Sequence, residues 1–186
     1  MKRIIRLTES DLTRIVKKVI SETSLSRIHR HIMQHDCAVI TGFRNKMENC
    51  AFDVKNKDEF LKRFEKKDRN FVLKRVLLNN GYGITDVMGS YVENYMTDNA
   101  IEVKEESLFV VNTINDPKFI DFIITLGKIY CQDSVLIIKK GGKDNYMVGT
   151  NHAEFPGLDK IVKLEDFKPG YEGEFMTRVN DRPFTL

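Results

Sequence analysis

The sequence predicts an α+β fold: a split βαβ, ferredoxin-like core with an extra C-terminal hairpin and edge strands, preceded by an amphipathic N-terminal helix. Three observations carry this expectation. The apolar runs follow the order strand, helix, strand, strand, helix, strand. A Gly-rich turn then joins two further apolar runs into a hairpin. Ahead of them all, a stripe of helical period occupies residues 7–22.

That first stripe is locally well specified. Thr8 suits an N-cap, Asp11 stands where a capping-box acid would, and Leu7 and Leu12 are spaced as a hydrophobic staple. Leu12, Ile15, Val16, Val19 and Ile20 fall on one face, opposite Thr13, Arg14, Lys17 and Lys18. A helix this short needs a surface to pack on. Either the protein's own body or a protein partner meets that need, and Ser21–Ser24 would serve as the hinge for docking. The chain thus divides into 1–22, an N-terminal helix, and 23–186, a single α+β domain.

Ser24 or Ser26 caps a second predicted helix to about Gln34, with Leu25, Ile28, Ile32 and Met33 inward. Cys37–Phe43 reads as the first strand. A polar loop, Arg44 to Lys57, leads to a long helical region ending at Asn80-Gly81. Its inner side would comprise Phe60, Leu61, Phe64, Phe71, Val72, Val76 and Leu77, with a kink or break at Asp68. Tyr82–Met88 and Glu106–Asn112 are the second and third strands. Asp116-Pro117 opens a helix to about Cys131 that buries Phe119, Ile120, Ile123, Ile124, Leu126 and Ile129. Ser134–Ile138 and Tyr146–Gly149 form the hairpin, and Glu174–Val179 reads as an edge strand.

Composition limits the function. The chain has 186 residues, 41% hydrophobic and 31% charged, which suits one packed domain. No apolar run reaches the length of a membrane helix, and the basic start lacks the apolar stretch of an export signal. Residues 1–22 carry Lys2, Arg3, Arg6, Arg14, Lys17 and Lys18 against Glu9, Asp11 and Glu22, an excess equal to the +3 of the whole chain. The body is neutral, which does not favour an extended nucleic-acid face. The basic residues of 57–75 alternate with Asp58, Glu59, Glu65 and Asp68, as on a solvated, ion-paired helix face. Cys37, Cys50 and Cys131 are odd in number and far apart, and predict neither a disulfide framework nor a cysteine zinc site. A reducing compartment fits this cysteine usage best.

Two resemblances add to this. Arg6-Leu7-Thr8-Glu9-Ser10-Asp11-Leu12, then Ile15-Val16, resembles the opening of many proteins of Bacteroidetes phages. Val39–Arg44, Arg69-Asn70, Gly81-Tyr82, Gly89, Glu105–Val110 and Tyr130–Val135 resemble a bacterial and phage family known as domain-of-unknown-function family 3293. The first implies a phage setting and a docking helix; the second implies a fold and no reaction.

The polar residues beside these motifs are Arg44, Asn45, Arg69, Asn70, Glu106 and Gln132, a set able to hold a small polar ligand or carboxylate. The favoured alternative is that Glu106, Arg69 and Gln132 satisfy backbone groups and one another at the sheet ends. His29, His31, His35 and Cys37 make the one metal-like grouping, but the spacing does not converge, and neither a metal nor a cofactor is expected. No nucleophile elbow or phosphate loop is present; Gly141-Gly142-Lys143 reads as a turn.

The leading expectation is therefore a phage-encoded protein-binding protein, virion-associated or packaged, docking through Leu12, Ile15, Val16, Val19 and Ile20. Its variants are an inhibitor of host defence, or a ligand-binding domain or enzyme using Arg44, Glu106 and Gln132.

Overall fold

The computed structural model describes residues 27–43, 49–51, 66–93, 101–164, 166, 168–169, 175–179 and 182–185. The expected helix of residues 7–22 lies outside them, as do Arg44, Asn45, Phe60, Leu61 and Phe64. Residues 27–34 form α1, followed by β1 (Cys37–Ile40) and α2 (Lys66–Asn79). Next come β2 (Gly83–Glu93), β3 (Ile101–Val111), α3 (Phe119–Ile129), β4 (Ser134–Ile138) and β5 (Tyr146–Gly149). The short strands β6 (Ile161–Lys163), β7 (Lys168–Pro169), β8 (Phe175–Val179) and β9 (Arg182–Thr185) complete the order.

The strands make one sheet in the order β6-β5-β4-β1-β3-β2-β8-β9-β7, every pair antiparallel. Its central four, β4-β1-β3-β2, are the split βαβ arrangement, so the expected α+β class holds. The pleat sends alternate residues to opposite faces. Ala38, Ile40, Leu108, Val110, Val135 and Ile137 pack with Leu73 and Leu77 of α2 and with Phe119, Ile123 and Leu126 of α3. Cys37, Phe109, Val111 and Ile138 face the other way, against Ile28 and Ile32 of α1. β1 is buried from both sides, and its four residues CAVI are accordingly all apolar.

Several elements differ from expectation. β2 and β3 pair from Gly83↔Val111 out to Glu93↔Ile101, so Glu106 stands inside β3 instead of opening it. Residues 175–179 are no edge: β8 lies between β2 and β9. α2 runs through Asp68 without a break from its described start, and the side it buries is Arg69, Leu73 and Leu77, while Phe71 is exposed. Arg75 lies over the Phe71 ring at 5.9 Å, covering in part what the core leaves out. Met33 and Ile129 are likewise exposed because each falls at the margin of its helix's inner face. Asp116 does not cap α3 directly. Its Oδ1 accepts the Lys118 N–H at 2.9 Å in the turn before the helix, and Lys118 is the N-cap. The other carboxylate oxygen is taken by the Tyr82 hydroxyl at 2.6 Å.

The cysteines need a larger correction. Cys50 and Cys131 form a disulfide across 81 residues of sequence, their Cα atoms 5.0 Å apart, and Cys37 alone is free. Spacing along the chain carried no sign of it because the pairing is made by the tertiary fold. Among the described residues no helix is long and apolar enough to cross a membrane.

Candidate functional site

The strand register places most of the predicted ligand-binding residues at one end of the sheet. Ile40 pairs with Leu108 and Val39 with Leu136, so the chain leaving β1, the Glu106 segment of β3 and the start of β4 lie side by side. Ser134 pairs with Gly149, which adds the end of β5 and the loop after it. Arg69, Asn70, Glu106 and Gln132 all belong to this end.

Local chemistry ties the pieces together. The Thr41 hydroxyl donates to the Glu106 carbonyl at 2.8 Å and accepts the Phe43 N–H at 3.0 Å, ending β1 and turning the chain. Gly42 N–H donates to Asn70 Oδ1 at 3.0 Å. A Cβ on Gly42 would come within 2.9–3.0 Å of Arg69 C and O and Asn70 N, so only glycine lets α2 sit this close to the turn. Arg69 is therefore carried into the interior at 6% exposure, where desolvation lowers its pKa from the usual arginine value. Glu106, by contrast, presents its side chain to solvent.

The neighbouring half of this end is built from buried amides. Gln132 (5% exposed) donates from Nε2 to the Tyr130 carbonyl at 3.1 Å, and its own carbonyl accepts the Thr150 hydroxyl at 2.6 Å. Asn151 donates from Nδ2 to Asp133 Oδ1 at 2.6 Å and accepts the Ala153 N–H at 2.8 Å. Tyr130 is buried there, which pushes its phenol up to about 12. Gly149 is enclosed by the loop after β5: its N–H donates to the Lys160 carbonyl at 2.9 Å, and its carbonyl accepts the Asp159 N–H at 3.0 Å.

The structure thus brings Arg69, Asn70, Glu106 and Gln132 to one end of the sheet. Asn70 and Gln132 satisfy backbone groups, which the second reading of the sequence anticipated for Gln132 but not for Asn70. Arg69 and Glu106 supply charge, one buried and one open. Thr41, Asp133, Asn151 and the disulfide were missed, since none has a spacing that marks it. Gly42 alone carried a sequence signal, a glycine closing an otherwise β-rich run. Of the metal-like grouping, His31 on α1 and His35 just past its end have ring centroids 6.2 Å apart. Among the described residues no three metal-ligating side chains converge.

Residues 59–179, well over half of the chain, match the model of the S-Adenosylmethionine lyase family, and the chain belongs to that family. No curated protein sequence matches it. The family overturns the expectation of a phage-encoded protein-binding accessory and favours the ligand-binding or enzymatic alternative. It also replaces family 3293 as the relationship of the body; the expected phage opening, residues 6–16, lies outside the match.

Proposed function

We propose that this chain is an enzyme that cleaves a carbon–sulfur bond of S-adenosylmethionine at the sheet end formed by Arg69, Asn70, Glu106 and Gln132. The observation that carries the reading is the family match over residues 59–179, a span that contains all four residues. Arg44 and Asn45 fall outside that span.

The chemistry asked of such a site is limited. A lyase adds no water, so the carbon that leaves sulfur must be satisfied from within its own fragment. The methyl group has no means of doing this. The methionine chain does: its carboxylate can attack the carbon bonded to sulfur and close a cyclic ester. The C–S electron pair goes to sulfur, and the sulfonium becomes a neutral thioether. Positive and negative charges both disappear in this step, so water, which stabilises the separated charges, opposes it. A site that replaces water by fixed groups favours it.

Arg69 suits one part of this task, because a guanidinium can hold one carboxylate oxygen and leave the other to attack. Its buried position strengthens that contact over what bulk water allows. Glu106 suits the substrate's ammonium. Pairing it closely with the sulfonium would stabilise the ground state more than the transition state and slow the reaction. No nucleophilic side chain of the protein is required.

The test is incubation of the full-length protein with S-adenosylmethionine, followed by mass spectrometry of the products against the spontaneous background. Methylthioadenosine should accumulate with time and enzyme, and at early times the four-carbon product should carry no oxygen from labelled water. Turnover equal to the background sinks the proposal, and early label incorporation makes the enzyme a hydrolase instead. Glu106→Gln, at an exposed position, should raise KM for substrate with the fold intact; an unchanged KM removes Glu106 from the site.

A further inference from the structure

The Cys50–Cys131 disulfide lies at the same sheet end as the proposed site, and its surroundings tie it to the residues there. Cys131 is fully buried, adopts a φ of 55°, and directly precedes Gln132. Cys50 is half-buried and forms a β-bridge with Asn151. Asn49, beside it, accepts the His152 N–H on its carbonyl at 2.7 Å. Asn151 in turn donates to Asp133 at 2.6 Å and to the Cys131 carbonyl at 3.5 Å. Residues 49–51 are thereby held against two short segments, 131–133 and 150–152, which also carry Gln132 and Thr150.

We infer that the Cys50–Cys131 bond is a redox latch: oxidised, it fixes the geometry of this sheet end and its affinity for substrate; reduced, it releases both. The functional half of this statement rests on the reading of the site given above. The chemistry is thiol–disulfide exchange with a small-molecule disulfide. The Cys50 thiolate, on the accessible side, attacks that disulfide and expels one small thiol. The Cys131 thiolate then attacks the mixed disulfide at the Cys50 sulfur and expels the second. Two protein thiols are oxidised and one small disulfide is reduced to two thiols.

The third cysteine does not compete. Cys37 lies at the opposite end of β1 and is wholly buried. Burial, aided by the nearby Asp36, pushes its thiol up to about 12, which leaves almost no thiolate for exchange.

The experiment compares full-length protein poised with oxidised glutathione and with a phosphine reductant. Peptide mapping should find Cys50 joined to Cys131 in the first and free in the second. Reduction should raise KM for S-adenosylmethionine several-fold and should speed hydrogen exchange of the His152 amide, whose acceptor is the Asn49 carbonyl. Cys50→Ser should behave as the reduced form in both buffers, and Cys37→Ser should retain the full response. Absence of the 50–131 linkage, or the same KM and exchange in both states, overturns the latch. Should neither form turn over substrate, the proposed function fails. The exchange rate at His152 then decides the latch alone, upheld by faster exchange on reduction and overturned by no change.

Discussion

The two ends of the sheet are built from similar polar residues to opposite effect. At the end where β1 begins, Asp36 is spent on its neighbours: Oδ1 accepts the Lys140 N–H at 2.9 Å, and Oδ2 pairs with Lys139 at 3.1 Å. Asn112 exchanges two hydrogen bonds with the backbone of Asp116, at 2.9 and 2.8 Å, and Tyr82 closes on the Asp116 carboxylate. Those charges and amides are consumed by the fold. Where β1 ends, the amides are likewise consumed, but Arg69 is drawn into the interior and Glu106 is left facing solvent. The two ends thus differ in where their charged groups lie: at one end an exchange of ion pairs and hydrogen bonds around Asp36 and Asp116, at the other a buried guanidinium and an exposed carboxylate.

The largest test of this contrast concerns glycines. A Cβ at Gly149 would fall on the Gly157 carbonyl oxygen, which is backbone and cannot swing aside. Gly149→Ala should cost about 3 kcal/mol or more, measured by urea unfolding. Gly141, at the other end, has open space around it and is constrained by its φ of 93° alone. Gly141→Ala should cost about 1–2 kcal/mol and leave KM unchanged.

Two asparagines sharpen the contrast. Asn151 is fully buried and bonds to Asp133 and to the Ala153 N–H; Asn112 is 6% exposed and bonds twice to Asp116. Asn151→Ala and Asn112→Ala should each cost about 2–3 kcal/mol, because each orphans buried partners. If the proposed site is correct, only Asn151→Ala should also raise KM for S-adenosylmethionine. Equal effects on KM would remove the proposed site from the end where β1 ends.

The smallest effect is a pH dependence. The Tyr82 hydroxyl, then the Lys118 N–H, hold Asp116 below the usual carboxylate value, while burial and the bond to Asp116 push Tyr82 up to about 12. A depressed carboxylate stabilises the fold above its unfolded pKa near 4 and loses that contribution as pH falls through its folded value. The stability difference between wild type and Tyr82→Phe should therefore be full at pH 7 and shrink below about pH 4. A constant difference would show that the bond does not depend on the charge of Asp116.

Much of the fold was legible because it is written in local periodicity. The hairpin strands at 134–138 and 146–149 have their predicted bounds, and Ile28, Ile32, Phe119, Ile123 and Leu126 are inward as their spacing required. Phe71 and Ile129 misled because a helix buries a stripe narrower than the set of its apolar residues. β8 was read as an edge because pairing partners are not encoded within a strand. The candidate residues Arg69, Asn70, Glu106 and Gln132 were legible as residue types, and they do share one end. That Arg69 and Gln132 are buried while Glu106 is exposed was not legible, since burial is set by the tertiary fold. The disulfide was invisible for the same reason that it is informative: it joins segments that meet only in the finished fold.

The central place of β1 constrains the order in which the chain can be made. Its partners are Leu108–Val111 on one side and Leu136–Ile138 on the other, both synthesised long after it. As the protein emerges from the ribosome, Cys-Ala-Val-Ile has no strand to pair with until most of the sequence has appeared. Closure of the sheet is then a late, long-range event. A chain stalled before residue 111 leaves this buried strand bare, and such a fragment is a natural client for a holding chaperone.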